Sequence, residues 1–208
     1  MNMKQETQDN LKQIKRRFRL MMNGMASQSM REKGLGYSIN WGISLPVLKT
    51  LAAEYGKDYD LAIELWKENI RECKILATLI MPPADMLPDL ACLWISQIPN
   101  QEIAEMASFN LFQHIDGAKD LAFKWLASES EIEQMCGYHV LSRLFMRGEQ
   151  LSDREINELF DQAKTALDGG AVALRHAVAN MLQRFSSISG DYAEITKTAF
   201  KSYELDIF

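Results

Sequence analysis

The sequence predicts an all-α chain of stacked antiparallel helix pairs, a right-handed α-α superhelix. Three observations carry that expectation. Apolar residues recur at helical spacing almost throughout. No stretch shows sustained strand alternation bounded by hairpin dipeptides. Helix pairs return at a period of roughly 30–37 residues, over 59–81, 86–113, 117–147 and 153–186.

Taken in order, residues 3–32 read as a long helical region with a break near Asn23-Gly24. Its basic cluster "KRRFR", Lys15 to Arg19, reads as a solvated helix face, with a membrane-surface or DNA-contacting helix as the other reading. A glycine-containing connection, "REKGLGYSINWGIS", leads to helices near 45–55, 59–68 and 70–81. Ser44 is placed to cap the first of these, and Pro46 is tolerated in its first turn. Asn69 with Glu72 three residues on reads as a cap for the third. Helices near 86–98, 101–113 and 117–128 follow.

Helix 131–147 opens on Ser130 with Glu133. Helix 153–168 opens on Ser152 with Glu155, where Leu151 can staple onto Ile156. "DGG" at 168–170 reads as a stop in which glycine takes the left-handed conformation. Helices near 171–186 and 191–205 complete the chain. Connectors of two to five residues force neighbours to lie antiparallel.

The second helices, "RECKILATLI", "YHVLSRLFMR" and "LRHAVANMLQRF", each carry a broad apolar stripe with a small residue near the middle. Such units bury their apolar faces only by stacking, which gives a HEAT-like repeat solenoid, with an irregular helical bundle as the alternative. The expected organisation is one helical-repeat domain over 1–208, comprising an N-terminal helical region 1–35 and stacked pairs 36–208.

The chain has 208 residues, 47% hydrophobic, with 23 basic and 28 acidic side chains for a net charge of −5. Nucleic-acid binding therefore requires a local basic face rather than a global field. Candidates are Arg143, Arg147, Arg175 and Arg184 on the late helices, and Arg71 and Lys74 earlier. Three scattered cysteines, Cys73, Cys92 and Cys136, form no disulfide framework and point to a reducing compartment, so a cytoplasmic location is expected. No signal peptide, membrane span or cofactor motif is expected. Cys136 and His139, three apart on a helix, lack further ligands, so no metal is expected either.

One stretch resembles a known family. "GISLPVLK", residues 42–49, fits a G-[VI]-S-x-P-x-L-[RK] start. Ala62, Leu65, Trp66, Glu72, Lys74, Leu76 and Ala77 fit a following A-x-x-L-W-x-x-x-x-x-E-x-[RK]-x-L-A pattern. Together they resemble the HEAT-like-repeat DNA alkylation-repair glycosylases, with fainter similarity to about residue 186. The resemblance implies duplex DNA on a concave face and excision of cationic alkylated purines. A carboxylate would stabilise the developing sugar cation, and aromatic walls would hold the cationic base.

"NQEIAE", residues 100–105, lies over that family's "NWDLCD". The resemblance makes Glu105 the catalytic acid and Glu102 the first acid, with Gln101 in place of a tryptophan. "AVANMLQR", residues 177–184, lies over "AVSWALRQ" and puts Asn180 in place of the second tryptophan. Gln134 and Met135 stand where the family has arginine ahead of Gly137-Tyr138. The implied site is Glu105, Gln101 and Asn180, keeping a carboxylate and losing both indoles. The competing expectation is a non-catalytic α-solenoid scaffold with a protein partner. For Glu102 and Glu105 the plainer reading is of first-turn acids that favour the helix dipole.

Overall fold

A computed structural model describes residues 3–203. Among them are twelve α-helices: α1 (Met3–Leu20), α2 (Gly24–Glu32), α3 (Leu45–Tyr55), α4 (Tyr59–Lys67), α5 (Arg71–Ile80), α6 (Pro88–Ser96), α7 (Gln101–Asn110), α8 (Ala118–Leu126), α9 (Glu131–Phe145), α10 (Asp153–Gly169), α11 (Val172–Ser186) and α12 (Gly190–Ala199). No β-strand occurs among the described residues, apart from an isolated parallel bridge between Ile39 and Ile70. The chain divides into two compact units, one ending at Leu111 and the other beginning at Phe112.

In the first unit α5 is the central helix, packed against α3, α4 and α7. Nine of its ten residues, all but Leu79, are buried. Leu11, Ile14 and Phe18, at helical spacing on α1, are buried where α1 meets α4. The basic end of α1 is partly tied down. Lys15 pairs with Glu68 at 2.9 Å and Arg17 with Glu54 at 2.5 Å, while Arg16 and Arg19 stay exposed. Trp66 of α4 stacks on Trp94 of α6, with ring centroids 4.2 Å apart and planes 1° from parallel. Trp66 thus acts in packing, in accord with its place in an apolar helical pattern.

In the second unit α9 is central, packed against α8 and α11. α10 packs on α11, and α11 on α12. The second helices of consecutive pairs therefore stack within each unit, α5 on α7 and α9 on α11. That is the contact pattern of helical repeats. Phe185 lies at the middle of an aromatic group. It meets Phe145 and Phe160 edge-on at 5.2 and 5.7 Å and stacks on Tyr192 at 4.5 Å. Phe160 also meets Phe200 at 5.1 Å.

Several local expectations hold. The expected break near Asn23-Gly24 is where α2 begins, and there the structure adds a cap, Asn23 accepting from the Ala26 amide. Ser152 and Glu155 form a complete capping box, each side chain bonding the other's backbone amide. Ser130 caps α9 by accepting from Glu133.

Others are corrected. Asn69 does not cap α5; its amide donates to Ser38, and the N-cap position belongs to Ile70. Glu72 is drawn inward to the backbone of the 41–43 segment instead. Ser44 occupies the N-cap of α3 but makes no side-chain capping bond. Gly170 ends α10 with φ −76° rather than in the left-handed region. Its glycine is required by close approach, because a Cβ would lie 2.8 Å from Leu174 Cδ2. The helix expected over 101–113 stops at Asn110, and a 3-10 turn, Phe112–His114, follows. The last helix ends at Ala199 with a 3-10 turn at Lys201–Tyr203, and the expected end at 205 lies outside the described residues.

Candidate carboxylate site and nucleic-acid interface

The connection between α2 and α3 is built around Glu72. Its buried carboxylate accepts from the Trp41 and Ile43 amides at 3.1 and 3.2 Å. Those are backbone donors that no helix satisfies, so the acid serves as a side-chain substitute for secondary structure. Gly42 lies between them with φ +69°. A Cβ there would strike the Asn23 carbonyl and come within 2.7 Å of the Ser27 amide. The glycine is thus fixed by conformation and by proximity to α2.

Arg71 joins this segment to α7. Its Nη1 donates to Glu72 and to the Ile43 carbonyl at 3.1 and 2.9 Å. Its Nε and Nη2 grip Glu102, with Nη2 at 2.6 Å from Oε1. Tyr37 donates its one hydroxyl proton in a short hydrogen bond to the same carboxylate, with Asn100 Oδ1 a second, longer acceptor at 3.1 Å. Asn100 also caps α7 by accepting from Ile103. Burial pushes Glu102 up, but its bonds to Arg71 and Tyr37 outweigh that and hold it below the ordinary carboxylate value. Burial and the Glu102 charge together push the Tyr37 phenol up, so its proton stays on. Glu102 is therefore not a solvent-facing first-turn acid. It anchors α7 to the 37–43 segment. The sequence pattern hid this because its partners lie 31 and 65 residues away.

Glu105 differs. It is half-buried, one turn after the exposed Gln101, and no hydrogen bond to its carboxylate is found among the described residues. Burial, and then the Glu102 charge, raise its pKa above the ordinary value. A desolvated carboxylate without a donor is suited to stabilise a nearby cation or to exchange a proton. Gln101 and Glu105 share α7. Asn180 lies in the other unit, exposed on α11.

Lys74, a candidate DNA contact in the sequence, is turned inward. It is 8% exposed, donates to the Trp66 carbonyl at 2.9 Å and lies 4.4 Å from the Trp66 ring centroid. Burial lowers its pKa. Arg71 is likewise committed to Glu102 and Glu72, so neither cation faces solvent. The remaining candidates occupy the second unit. Arg175 and Arg184 are exposed on α11, together with His176 and Asn180. No Asp or Glu occurs between Val172 and Ser186. Arg143 is partly exposed in the last turn of α9, 3.6 Å from Met146 Sδ. Arg147 follows α9 and is exposed, donating to the side chain and carbonyl of Gln113 at 2.9 and 2.7 Å.

Cys136 and His139 are both buried within α9. Burial, aided by Arg143, lowers the His139 pKa to about 4, so the imidazole is neutral at physiological pH. Among the described residues, no group of three or more His, Cys, Asp or Glu side chains could hold a metal. No helix among them is long and apolar enough to cross a membrane.

The family profile described as DNA alkylation repair enzyme matches residues 14–194, most of the chain. The chain belongs to this family. A solved structure shares the fold with a TM-score of 0.82 and 17% identity, over 92% of this chain and 82% of its own. It comes from a family of proteins described as related to the HEAT-like repeat DNA glycosylases, with affinity for branched DNA structures. No curated protein matches significantly.

Family membership recasts the motif residues in the first unit. Trp66, Glu72 and Lys74 hold the framework together. Glu72 closes the connection before α3, and Lys74 locks onto Trp66, whose Nε1 donates to Gln97 at 2.9 Å. These motif residues thus serve the framework of the first unit.

Proposed function

We propose that this chain binds DNA through phosphate contacts from the α9–α11 face of its second unit, and releases alkylated purines little faster than they depart unaided. The observation that carries the first half is the charge of α11. This helix turns Arg175, His176 and Arg184 outward without a single acid, in a chain of net charge −5. Arg143 and Arg147 extend the basic character at the end of α9. Arginines held on rigid helices favour phosphate contact, because their fork-shaped donors match its oxygens. Membership in the DNA alkylation repair family supports the reading, as does a fold shared with a protein described as binding branched DNA.

The second half rests on what surrounds Glu105. Its carboxylate suits a role opposite a developing sugar cation. Gln101 and Asn180 stand where the resembling glycosylases place indoles, and each lost ring removes about 0.5–2 kcal/mol of cation–π attraction.

Fluorescence anisotropy at low salt, with a duplex and a four-way junction as ligands, tests the binding half. Binding should weaken steeply with salt, and Arg175→Glu combined with Arg184→Glu should lower the log–log slope by about 2, roughly 0.9 per phosphate contact. Absence of binding to either DNA would favour a protein-binding scaffold instead. Release of 7-methylguanine from methylated DNA tests the second half, with the wild type expected at the spontaneous rate. Robust release that falls at least about tenfold in Glu105→Gln, about 1.4 kcal/mol of transition-state stabilisation, would overturn it and assign the chemistry to that carboxylate. Robust release unchanged in Glu105→Gln would mean that another site acts.

A further inference from the structure

α1 carries unlike surfaces at its two ends. No acid occurs from Asn10 to Arg31. At the end of α1 Lys15 and Arg17 are used on Glu68 and Glu54, while Arg16 and Arg19 face outward. Beside them Leu20, Met22 and Met25 are 87%, 59% and 85% exposed, so the end of α1 and start of α2 present an apolar knob with a basic rim.

The other end of α1 borders a groove of opposite character. Lys4 and Gln8 flank Tyr59, and Tyr59 also lines a neighbouring cavity of about 600 Å³ with Leu87 and Leu93. Leu87 and Leu93 are 65% and 53% exposed, and the charged residues of this cavity are Asp85 and Asp89. This is an apolar groove with an acidic rim. From Lys4 to Leu20 the helix advances about 24 Å at 1.5 Å per residue. Knob and groove therefore lie at opposite ends of one rigid element, too far apart to satisfy each other within a chain.

We propose that the knob at Leu20–Met25 of one copy seats in the Leu87–Leu93 groove of a second copy, giving head-to-tail self-association. Burial of apolar side chains supplies the attraction, and Arg16 and Arg19 against Asp85 and Asp89 set the orientation. Because the two surfaces differ, the contact is heterologous: an open assembly keeps a free knob and a free groove at its ends, and a rotation that closes makes a ring.

Sedimentation velocity of the full chain over a wide concentration range tests this. The wild type should shift to larger species as concentration rises, less so at high salt, where exposed charges are screened. Leu93→Arg in the groove and Leu20→Asp in the knob should each remain monomeric, with unchanged far-UV circular dichroism and melting. Mixed in equal amounts, the two variants should form a 1:1 dimer and nothing larger, because only one intact knob and one intact groove remain. A wild type that stays monomeric throughout would overturn the proposal. So would a mixture that fails to pair, or a wild type that stops at a dimer. If Arg19→Glu weakens DNA binding while self-association is unchanged, the basic rim belongs to the DNA interface and the proposed pairing with the groove is wrong.

Discussion

Both units have apolar cores, but the contacts that fix their helices to one another differ in kind. In the first, the segment before α3 and the start of α7 are joined by charged, directional bonds among Tyr37, Arg71, Glu72 and Glu102. In the second, α9, α10, α11 and the residues after α12 meet through Phe145, Phe160, Phe185 and Phe200. Ring contacts tolerate small shifts, whereas a buried guanidinium with two carboxylates fixes its partners by angle as well as distance. The first unit thus has the means to hold Glu105 in a defined place. The second joins its helices through aromatic groups and leaves Arg175 and Arg184 of α11 facing water.

Two substitutions of comparable size separate these mechanisms. Arg71→Ala leaves Glu72 and Glu102 without their cation and should cost about 3–5 kcal/mol in denaturant unfolding. Phe185→Ala empties a fully enclosed aromatic site and should also cost about 3–5 kcal/mol. Acid distinguishes them. Glu102 is held below its ordinary pKa, so its contribution is complete above about pH 4.3, the unfolded carboxylate value. It is lost as pH falls through the lower folded value. The Arg71→Ala defect should shrink on acidification, while the Phe185→Ala defect should not follow that titration. Equal pH profiles would contradict the contrast.

Tyr37→Phe is a smaller intervention. It keeps the ring and removes the hydroxyl bonded to Glu102 and Asn100, and should cost about 1.5–3 kcal/mol, the usual contribution of a hydrogen bond to a charged group. Thermal unfolding checks it; no change would mean that Arg71 alone holds Glu102.

The smallest expected effect is at Glu105. Its pKa is raised, so the folded state resists its ionisation and stability declines as pH climbs from the unfolded toward the folded value. Glu105→Gln should therefore be neutral or stabilising at pH 7, by about 0.5 kcal/mol, with the gain disappearing in acid. A clear loss of stability at pH 7 would show that the carboxylate has a structural partner.

The sequence by itself determined the helical class, the order of the repeated pairs and most helix starts. Those depend on short-range physics: apolar spacing at 3.6 residues, and caps such as Ser130 and Ser152 that act within three residues. It also contained the family motif, since "GISLP" and the residues from Ala62 to Ala77 are contiguous patterns. The direction in which a charged side chain turns was decided only by the tertiary structure. Lys74 and Arg175 look alike in the chain, yet one is enclosed over Trp66 and the other faces solvent. Glu102 and Glu105 are three residues apart on one helix, yet one is gripped by Arg71 and Tyr37 and the other is left desolvated. The partners that separate them come from distant residues, and local pattern carries no record of contacts made across 31 or 65 positions of chain.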